Sequence, residues 1–138
     1  MRERRRVEDG TVHTRTTPVR VLIVDDQETF RSVARLVVEL SEGFEVLAEA
    51  ATGEEAVEVV GTTAPDLVLM DINMPGIDGI EATRRITADG SQVRVIVLST
   101  YEAGEYEPRA LEAGAIAFIS KEAFDPDALA AAWDAAAG

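Results

Sequence analysis

Two strand-sized apolar runs in this chain end in carboxylates. The run Leu-Val-Leu-Met at residues 67–70 is followed by Asp71, and the run at residues 19–24 is followed by Asp25 and Asp26. Four consecutive apolar residues are typical of a strand buried on both faces, as in a parallel sheet. Side chains at the carboxyl ends of such strands lie where doubly wound folds bind their ligands. Asp71 taken alone could equally be a solvated turn residue. Whether it belongs to a functional site depends on the residues that end the other strands.

Two further apolar runs end in groups that complement these acids. The run at residues 93–98 ends at Ser99, and the run at residues 115–119 is followed by Ser120 and Lys121, the only lysine of the chain. In a parallel sheet these side chains would share one rim with the three acids. Converging carboxylates repel one another and need a cation nearby. Because no His or Cys is close in the sequence, an all-oxygen ligand set favours Mg²⁺.

The residue types at this rim suit phosphoryl transfer. A carboxylate beside Mg²⁺ can attack phosphorus and form an acyl phosphate, and such reactions depend on positioning and charge neutralisation more than on acid–base catalysis. Lys121 and the metal can neutralise phosphoryl oxygens, and the hydroxyl of Ser99 can donate to another. The sequence indicates no second substrate site. This favours Asp71 as a phosphoryl acceptor whose modification is itself the signal.

The spacing of apolar residues predicts five strand–helix units that would hold these side chains. The fourth helix is expected to begin late, near Glu107, because Gly104 and Pro108 disfavour its front half. The last helix is expected to begin at Pro126, after Asp125 as its N-cap. The predicted strands are residues 19–24, 44–49, 67–70, 93–98 and 115–119, and the first three predicted helices are residues 27–41, 54–61 and 80–87.

Strict alternation of strands and helices predicts an α/β fold. We expect a doubly wound (βα)5 architecture, with a parallel five-stranded sheet covered by helices on both faces. The second strand alternates apolar residues with Glu45 and Glu49, which is typical of a less well covered edge strand. An edge position for it gives the flavodoxin-like order 2-1-3-4-5. The first and third strands are then neighbours, and their terminal acids converge.

Composition limits the possible functions. The net charge of −13 argues against direct nucleic acid binding by this domain. No apolar run is long enough to span a membrane, no signal-peptide segment follows the Arg-rich start, and there is no Cys, so we expect a cytoplasmic protein. The single histidine, His13, lies in a polar stretch, which disfavours a His-based metal site or a Ser-His-Asp triad. We expect residues 1–18 to be a disordered or loosely held tail and residues 19–138 to form one domain.

These motifs resemble those of the receiver domain of two-component response regulators, over residues 19–138. Val-Leu-Ile-Val-Asp25-Asp26 matches the acidic pair of that family, and Asp71 in Leu-Met-Asp-Ile-Asn-Met-Pro-Gly matches its phosphoacceptor. Ser99 in Val-Leu-Ser-Thr matches the switch hydroxyl, and Lys121 matches the lysine that contacts the phosphoryl group. The chain looks most similar to receivers of the LuxR/FixJ type, whose full-length members carry a C-terminal helix-turn-helix.

The resemblance implies a role for each acid at the rim. Asp26 would bind Mg²⁺ directly, Asp25 would act mainly through metal-bound water, and Asn73 would contribute its backbone carbonyl. Asp71 would bind the metal and accept a phosphoryl group from a histidine kinase. The domain would then be a phosphoacceptor that undergoes only self-phosphorylation and autodephosphorylation, and not an enzyme that turns over a substrate.

The resemblance also implies a switch. Ser99 would move towards the new phosphoryl oxygens, and Phe118 would pack inward into the space that it leaves. This would change the surface formed by the fourth helix, the fifth strand and the fifth helix, which can serve output or homodimer formation. Ser at position 99 replaces the commoner Thr of the family and keeps the donor.

The sequence departs from the family pattern at other positions. Glu122 follows Lys121 where many members have a proline, and Gly104 with Pro108 alters the region of the fourth helix. The bulky Tyr101, two positions after Ser99, would hinder entry of water, so we expect slow loss of the phosphoryl group.

Other functional classes compete with this interpretation. A haloacid-dehalogenase-type phosphatase also uses an Asp nucleophile and Mg²⁺, but it needs an acid where this chain has Asn73. Nucleotide binding is disfavoured because both G-x-G-x-x-G and G-x-x-x-x-G-K-[ST] are absent. The domain could be the regulatory half of a DNA-binding transcription factor or a stand-alone receiver. The sequence does not separate these two possibilities.

Overall fold

The computed structural model describes residues 17–88, 90–100 and 103–137. Strands and helices alternate strictly within these ranges. The predicted tail, residues 1–18, lies almost entirely outside the described residues and stays a prediction. The strands are β1 (Val19–Val24), β2 (Phe44–Ala50), β3 (Leu67–Asp71), β4 (Arg94–Ser99) and β5 (Ala117–Ser120), and the helices are α1 (Glu28–Leu40), α2 (Gly53–Thr63), α3 (Gly79–Thr87), α4 (Ala103–Glu112) and α5 (Pro126–Ala137).

The five strands form one sheet in the order β2-β1-β3-β4-β5, and each neighbouring pair is parallel. The predicted fold class and strand order are therefore confirmed. Every residue of β3 is buried, as expected for a central strand covered on both faces. The register places Asp71 opposite Leu98 and Ser99 opposite Ser120, so the strands end at nearly the same level.

Alternate residues of the central strands feed two separate hydrophobic cores. One core joins Leu22, Met70 and Val97 to apolar residues of α2, α3 and α4. The other joins Ile23 and Leu69 to apolar residues of α1 and α5. The period-two alternation of side chains along each strand accounts for this division. Since both faces are covered, the polar ends of the strands are left at the rims.

A bulge in β2 changes the face to which its later residues point. Val21 pairs with Val46 and Leu22 pairs with Ala48, so Leu47 is an extra residue between two register positions. Phe44 and Val46 consequently pack on the α1 and α5 side, whereas Ala48 packs on the opposite side. The simple alternation expected for this strand is therefore wrong beyond Val46.

Helix α4 begins earlier than predicted. It starts at Ala103 instead of near Glu107, and Pro108 lies inside it. Pro108 has no N–H to donate to the carbonyl of Gly104, which costs the helix one hydrogen bond. Gly104 and Pro108 are both exposed, so water can satisfy that carbonyl. The burial of Ala110 and Ala113 against the sheet stabilises the segment in spite of this loss.

Candidate functional site

The acidic rim is built by backbone that continues directly from the strands. The N–H of Asp25 donates to the carbonyl of Ala50 at 3.1 Å, which extends the ladder between β1 and β2 by one residue. Asp71 is the last residue of β3, Ser99 is the last residue of β4, and Lys121 follows β5 in a 3₁₀ turn formed by Lys121–Ala123. The parallel sheet thus brings the ends of four strands to the same edge.

The three predicted metal ligands lie together. One carboxylate oxygen from each of Asp25, Asp26 and Asp71 lies within 4.8 Å of the others. Asp25 and Asp71 are buried, with 1% and 6% of their surface exposed, whereas Asp26 is exposed. A set of hard oxygen donors that opens to solvent on one side suits a divalent ion such as Mg²⁺. The predicted fourth ligand, Asn73, is exposed in the loop two residues after Asp71.

Lys121 joins two of these acids. Its Nζ donates to Oδ2 of Asp25 at 2.6 Å and lies 3.2 Å from Oδ1 of Asp71. The ammonium also lies 4.4 Å from the centroid of the Phe30 ring, which adds a cation–π contact. Only 11% of the Lys121 side chain is exposed. The position of this one cation is therefore determined from three sides.

Burial and mutual repulsion shift the ionisation of the site. Burial raises the pKa of Asp71 to about 6, and the charge of Asp25 adds to this effect while Lys121 opposes it. Burial also acts to lower the pKa of Lys121, but its hydrogen bond to Asp25 and the charges of Asp71 and Asp25 outweigh that effect, so the pKa is raised. Asp26 makes no ion pair with any of the described residues. The single positive charge of Lys121 does not neutralise three carboxylates, so the site favours binding of a further cation.

The loop after β3 is closely packed against the site. The N–H of Gly79 donates to the carbonyl of Ile72 at 2.7 Å, and a Cβ atom at Gly79 would lie 1.9 Å from the carbonyl oxygen of Asp71. Only glycine therefore permits this approach. The carboxylate of Glu54, in the first turn of α2, accepts from the N–H of Ile77 at 3.0 Å. These contacts hold the loop that carries Asn73.

The two predicted switch residues lie on neighbouring strands. Ser99 is 1% exposed at the end of β4. Phe118 of β5 pairs with Val97 and is partly buried against the core on the α2 to α4 side, where Tyr106 of α4 packs as well. Tyr101, predicted to hinder water, lies outside the described residues.

Sequence reasoning missed two residues that support the rim. The helical spacing of apolar residues predicts Phe30 only as an apolar position of α1, yet its ring faces Lys121. The sequence predicts no role for Arg31, yet its Nη1 donates to the carbonyl of Asp25 at 2.7 Å. The helical spacing of Phe30 gave no indication of a cation partner, and the acceptor of Arg31 is a backbone atom that has no sequence signature.

A family model described as the response regulator receiver domain matches residues 21–134. This chain belongs to the response regulator receiver family. It is 39% identical over 113 residues to the response regulator UvrY of Escherichia coli K12, covering 82% of this chain and 52% of that protein. It is 40% identical over 111 residues to the transcriptional regulatory protein DegU of Brevibacillus brevis, covering 80% of this chain and 47% of that protein.

Solved receiver structures share the fold. The signal receiver domain of the putative response regulator NarL from Mycobacterium tuberculosis has a TM-score of 0.81 and 30% identity, covering 88% of this chain and 98% of that one. A LuxR-family two-component response regulator from Aurantimonas sp. SI85-9A1 has a TM-score of 0.78 and 35% identity, covering 86% and 84%. The predicted resemblance to LuxR/FixJ-type receivers is therefore confirmed.

The receiver spans about half the length of the curated relatives that it matches. Within the part of the chain that the structure describes, every helix is too short or too polar to cross a membrane.

Proposed function

We propose that Asp71 accepts a phosphoryl group from a histidine kinase in the cytoplasm and that this modification switches an output or dimer surface. The observation that carries the proposal is the position of Lys121, within 3.2 Å of Asp71 and hydrogen-bonded to Asp25 at the opening of a three-carboxylate cluster. A structural ion pair needs one acid. Two acids that share one lysine, with a third acid close to both, suit a site that binds a metal and an anionic group in turn.

Asp71 is the nucleophile in this scheme. Its pKa of about 6 leaves most of the carboxylate ionised at neutral pH. A carboxylate oxygen forms a bond to phosphorus while the bond from phosphorus to the kinase histidine breaks, and the histidine nitrogen retains that electron pair. Lys121 then neutralises one phosphoryl oxygen, and the hydroxyl of Ser99 donates to another.

Asp25, Asp26, Asp71 and the carbonyl of Asn73 would hold Mg²⁺, which when bound would neutralise charge on the phosphoryl oxygens. The close oxygens of the three carboxylates support this ligand set. A haloacid-dehalogenase-type phosphatase reaction has no comparable support, because Asn73 cannot act as an acid.

The switch would connect the site to the α4, β5 and α5 surface. Movement of Ser99 towards the phosphoryl group would vacate space beside β4, and the partly buried Phe118 would turn into it. Tyr106 of α4 packs on the same core, so a movement of Phe118 would change the packing of α4. The resulting surface would contact an output domain or a second copy of the receiver.

An exposed apolar face of α1 that begins near the rim suits the kinase as phosphoryl donor. Val33, Leu36 and Leu40 of α1 are 50%, 56% and 67% exposed. At the Val33 end of this face, a cleft of about 410 Å³ is lined by residues that include Phe30, Val33 and Lys121. Val33 borders this cleft, and Leu36 and Leu40 continue the exposed apolar face along α1 away from the rim. A protein donor that docks on this face would bring its phosphohistidine to Asp71 at the end where α1 begins.

Phosphorylation by a small donor tests the proposal. Incubation with acetyl phosphate and Mg²⁺ is expected to add one phosphoryl mass to the wild type, as measured by intact mass spectrometry. Asp71→Asn is expected to remain unmodified, and Asp66→Asn, which changes an acid at the other end of β3, should be modified like the wild type. Equal modification of Asp71→Asn would disprove the assignment.

The complete protein is either a DNA-binding regulator whose regulatory half is this receiver or a stand-alone receiver. The name of DegU, a transcriptional regulatory protein of about twice the matched length, supports the first possibility. The codons that follow Gly138 in the gene would decide between them.

A further inference from the structure

The carbonyl group of Asp25 lies just beyond the sheet, and a side chain binds it there. The last residue of β1 is Val24, and the N–H of Asp25 still donates to Ala50. The carbonyl of Asp25 accepts from Nη1 of Arg31 at 2.7 Å. Because the peptide group is planar, fixing this oxygen also fixes the nitrogen of Asp26 and the direction in which its Cα leaves the strand.

Arg31 is itself held in place by an acid. Its Nε donates to Oε1 of Glu49 at 3.2 Å, and Nε of Arg35 donates to Oε2 of the same carboxylate at 2.7 Å. The bulge at Leu47 is what turns Glu49 towards α1. Arg31 is the better covered of the two arginines, with 18% of its side chain exposed against 38% for Arg35.

We infer that Arg31 is a positioning residue for the metal site: anchored by Glu49, it orients the Asp25–Asp26 peptide so that Asp26 points at the metal. The inference rests on the proposed function, because it concerns the same Mg²⁺ site. Asp25 has other anchors, since its Oδ1 accepts from the N–H of Gln27 at 2.8 Å and its Oδ2 accepts from Lys121. Asp26 is exposed and makes no ion pair with a described residue, so its direction depends most on the backbone.

Charge and positioning predict opposite effects when Arg31 is replaced. Arg31 is a cation close to a site for a cation, so its charge alone opposes Mg²⁺ binding. Removing that charge would tighten binding if electrostatics were the whole effect. Loss of positioning would weaken binding, as is usual when groups that orient metal ligands are removed.

Isothermal titration of Mg²⁺ into the metal-free full chain tests this inference. Arg31→Met keeps the unbranched stem and removes the charge and the donors, and it is expected to weaken Mg²⁺ affinity about tenfold. Arg35→Met is the matched control, because it removes the other partner of Glu49 and an equal charge without touching Asp25. It is expected to bind Mg²⁺ within about twofold of the wild type.

The possible outcomes separate the inference from the proposed function. If folded Arg31→Met bound Mg²⁺ as tightly as the wild type or more tightly, the inference would be overturned and the proposed function would stay intact. If wild type failed to bind Mg²⁺, both would be overturned. Should Arg31→Met not fold, Arg31→Lys replaces it, because one ammonium cannot reproduce two spaced donors; an unchanged affinity in that variant would equally overturn the inference.

Discussion

At the scale of single residues, the rim balances three carboxylates against one ammonium. This balance is unfavourable for the ionised form of Asp71, since Asp71 is buried, faces Asp25 and shares Lys121 with it. This arrangement therefore destabilises the metal-free protein at neutral pH.

Replacing Asp71 by Asn should stabilise the metal-free protein by about 1–2 kcal/mol at pH 7.5. The pKa of this carboxyl is raised from 3.8 to about 6 in the folded protein. Its ionised form is therefore unfavourable above pH 6, and this penalty is relieved as the pH falls through 6 towards 4. The gain in Tm measured by calorimetry in EDTA should accordingly shrink towards zero in that pH range.

Asp127→Asn supplies the control for this measurement. Asp127 is exposed in the first turn of α5, so the same chemical change should shift Tm little. A stabilisation by Asp71→Asn that is independent of pH, or a lower Tm at pH 7.5, would contradict the pKa argument.

The residues of the rim could be predicted because each of them terminates an apolar run. Asp25, Asp71, Ser99 and Lys121 were found in this way, and the structure brings Asp25, Asp71 and Lys121 into direct contact. Arg31 could not be found, because its acceptor is a carbonyl group that every residue possesses. Its position becomes informative only after the helix is folded against the strand.

At the scale of elements, burial determines the observed structure of a segment when its local sequence preference and its tertiary packing disagree. Local preference placed the start of α4 near Glu107, yet the helix begins at Ala103 and contains Pro108. Local alternation gave β2 one apolar face, yet the bulge at Leu47 divides it between two cores. Neither feature could be derived from the sequence, because each depends on packing against strands that are distant in the chain.

Helix α3 contains an unusual buried group. The hydroxyl of Thr83 is fully buried and has no hydrogen-bond partner among the residues that the structure describes. A buried unpaired hydroxyl costs stability without a compensating contact. Thr83→Val, which replaces it with a methyl group of similar shape, should raise the free energy of unfolding by about 1 kcal/mol, as measured by urea denaturation.

One helical turn later, Thr87 provides the opposite case. Its Oγ1 lies 2.9 Å from the carbonyl of Thr83 and 2.9 Å from the carbonyl of Ala113. The contact with Ala113 links α3 to the end of α4. The identical change, Thr87→Val, should lower the free energy of unfolding by about 1 kcal/mol. Equal effects of the two substitutions would show that Thr83 is not the unsatisfied group that we describe.

At the scale of the whole molecule, exposed apolar side chains lie on both sides of the sheet. The patch of Val33, Leu36 and Leu40 lies on α1, on the side of the sheet covered by α1 and α5. Leu111 is 44% exposed on α4, which covers the opposite side. In the proposed function the α1 patch docks the phosphoryl donor, whereas the α4 side carries the output. The two roles can therefore be separated by substitutions on opposite faces.

Leu36→Lys should reduce phosphotransfer from a phosphorylated histidine kinase at least tenfold, because it places a charge in the docking patch. Leu36 does not line the cleft at Lys121, so phosphorylation of the same variant by acetyl phosphate should keep the wild-type rate. Leu111→Lys makes the same change on the far side and should alter neither rate. Radiolabel transfer and intact mass measure the two reactions. If the kinase phosphorylated Leu36→Lys at the rate of the wild-type receiver, the donor would dock elsewhere. If the rates with the kinase and with acetyl phosphate fell equally, the substitution would damage the site itself.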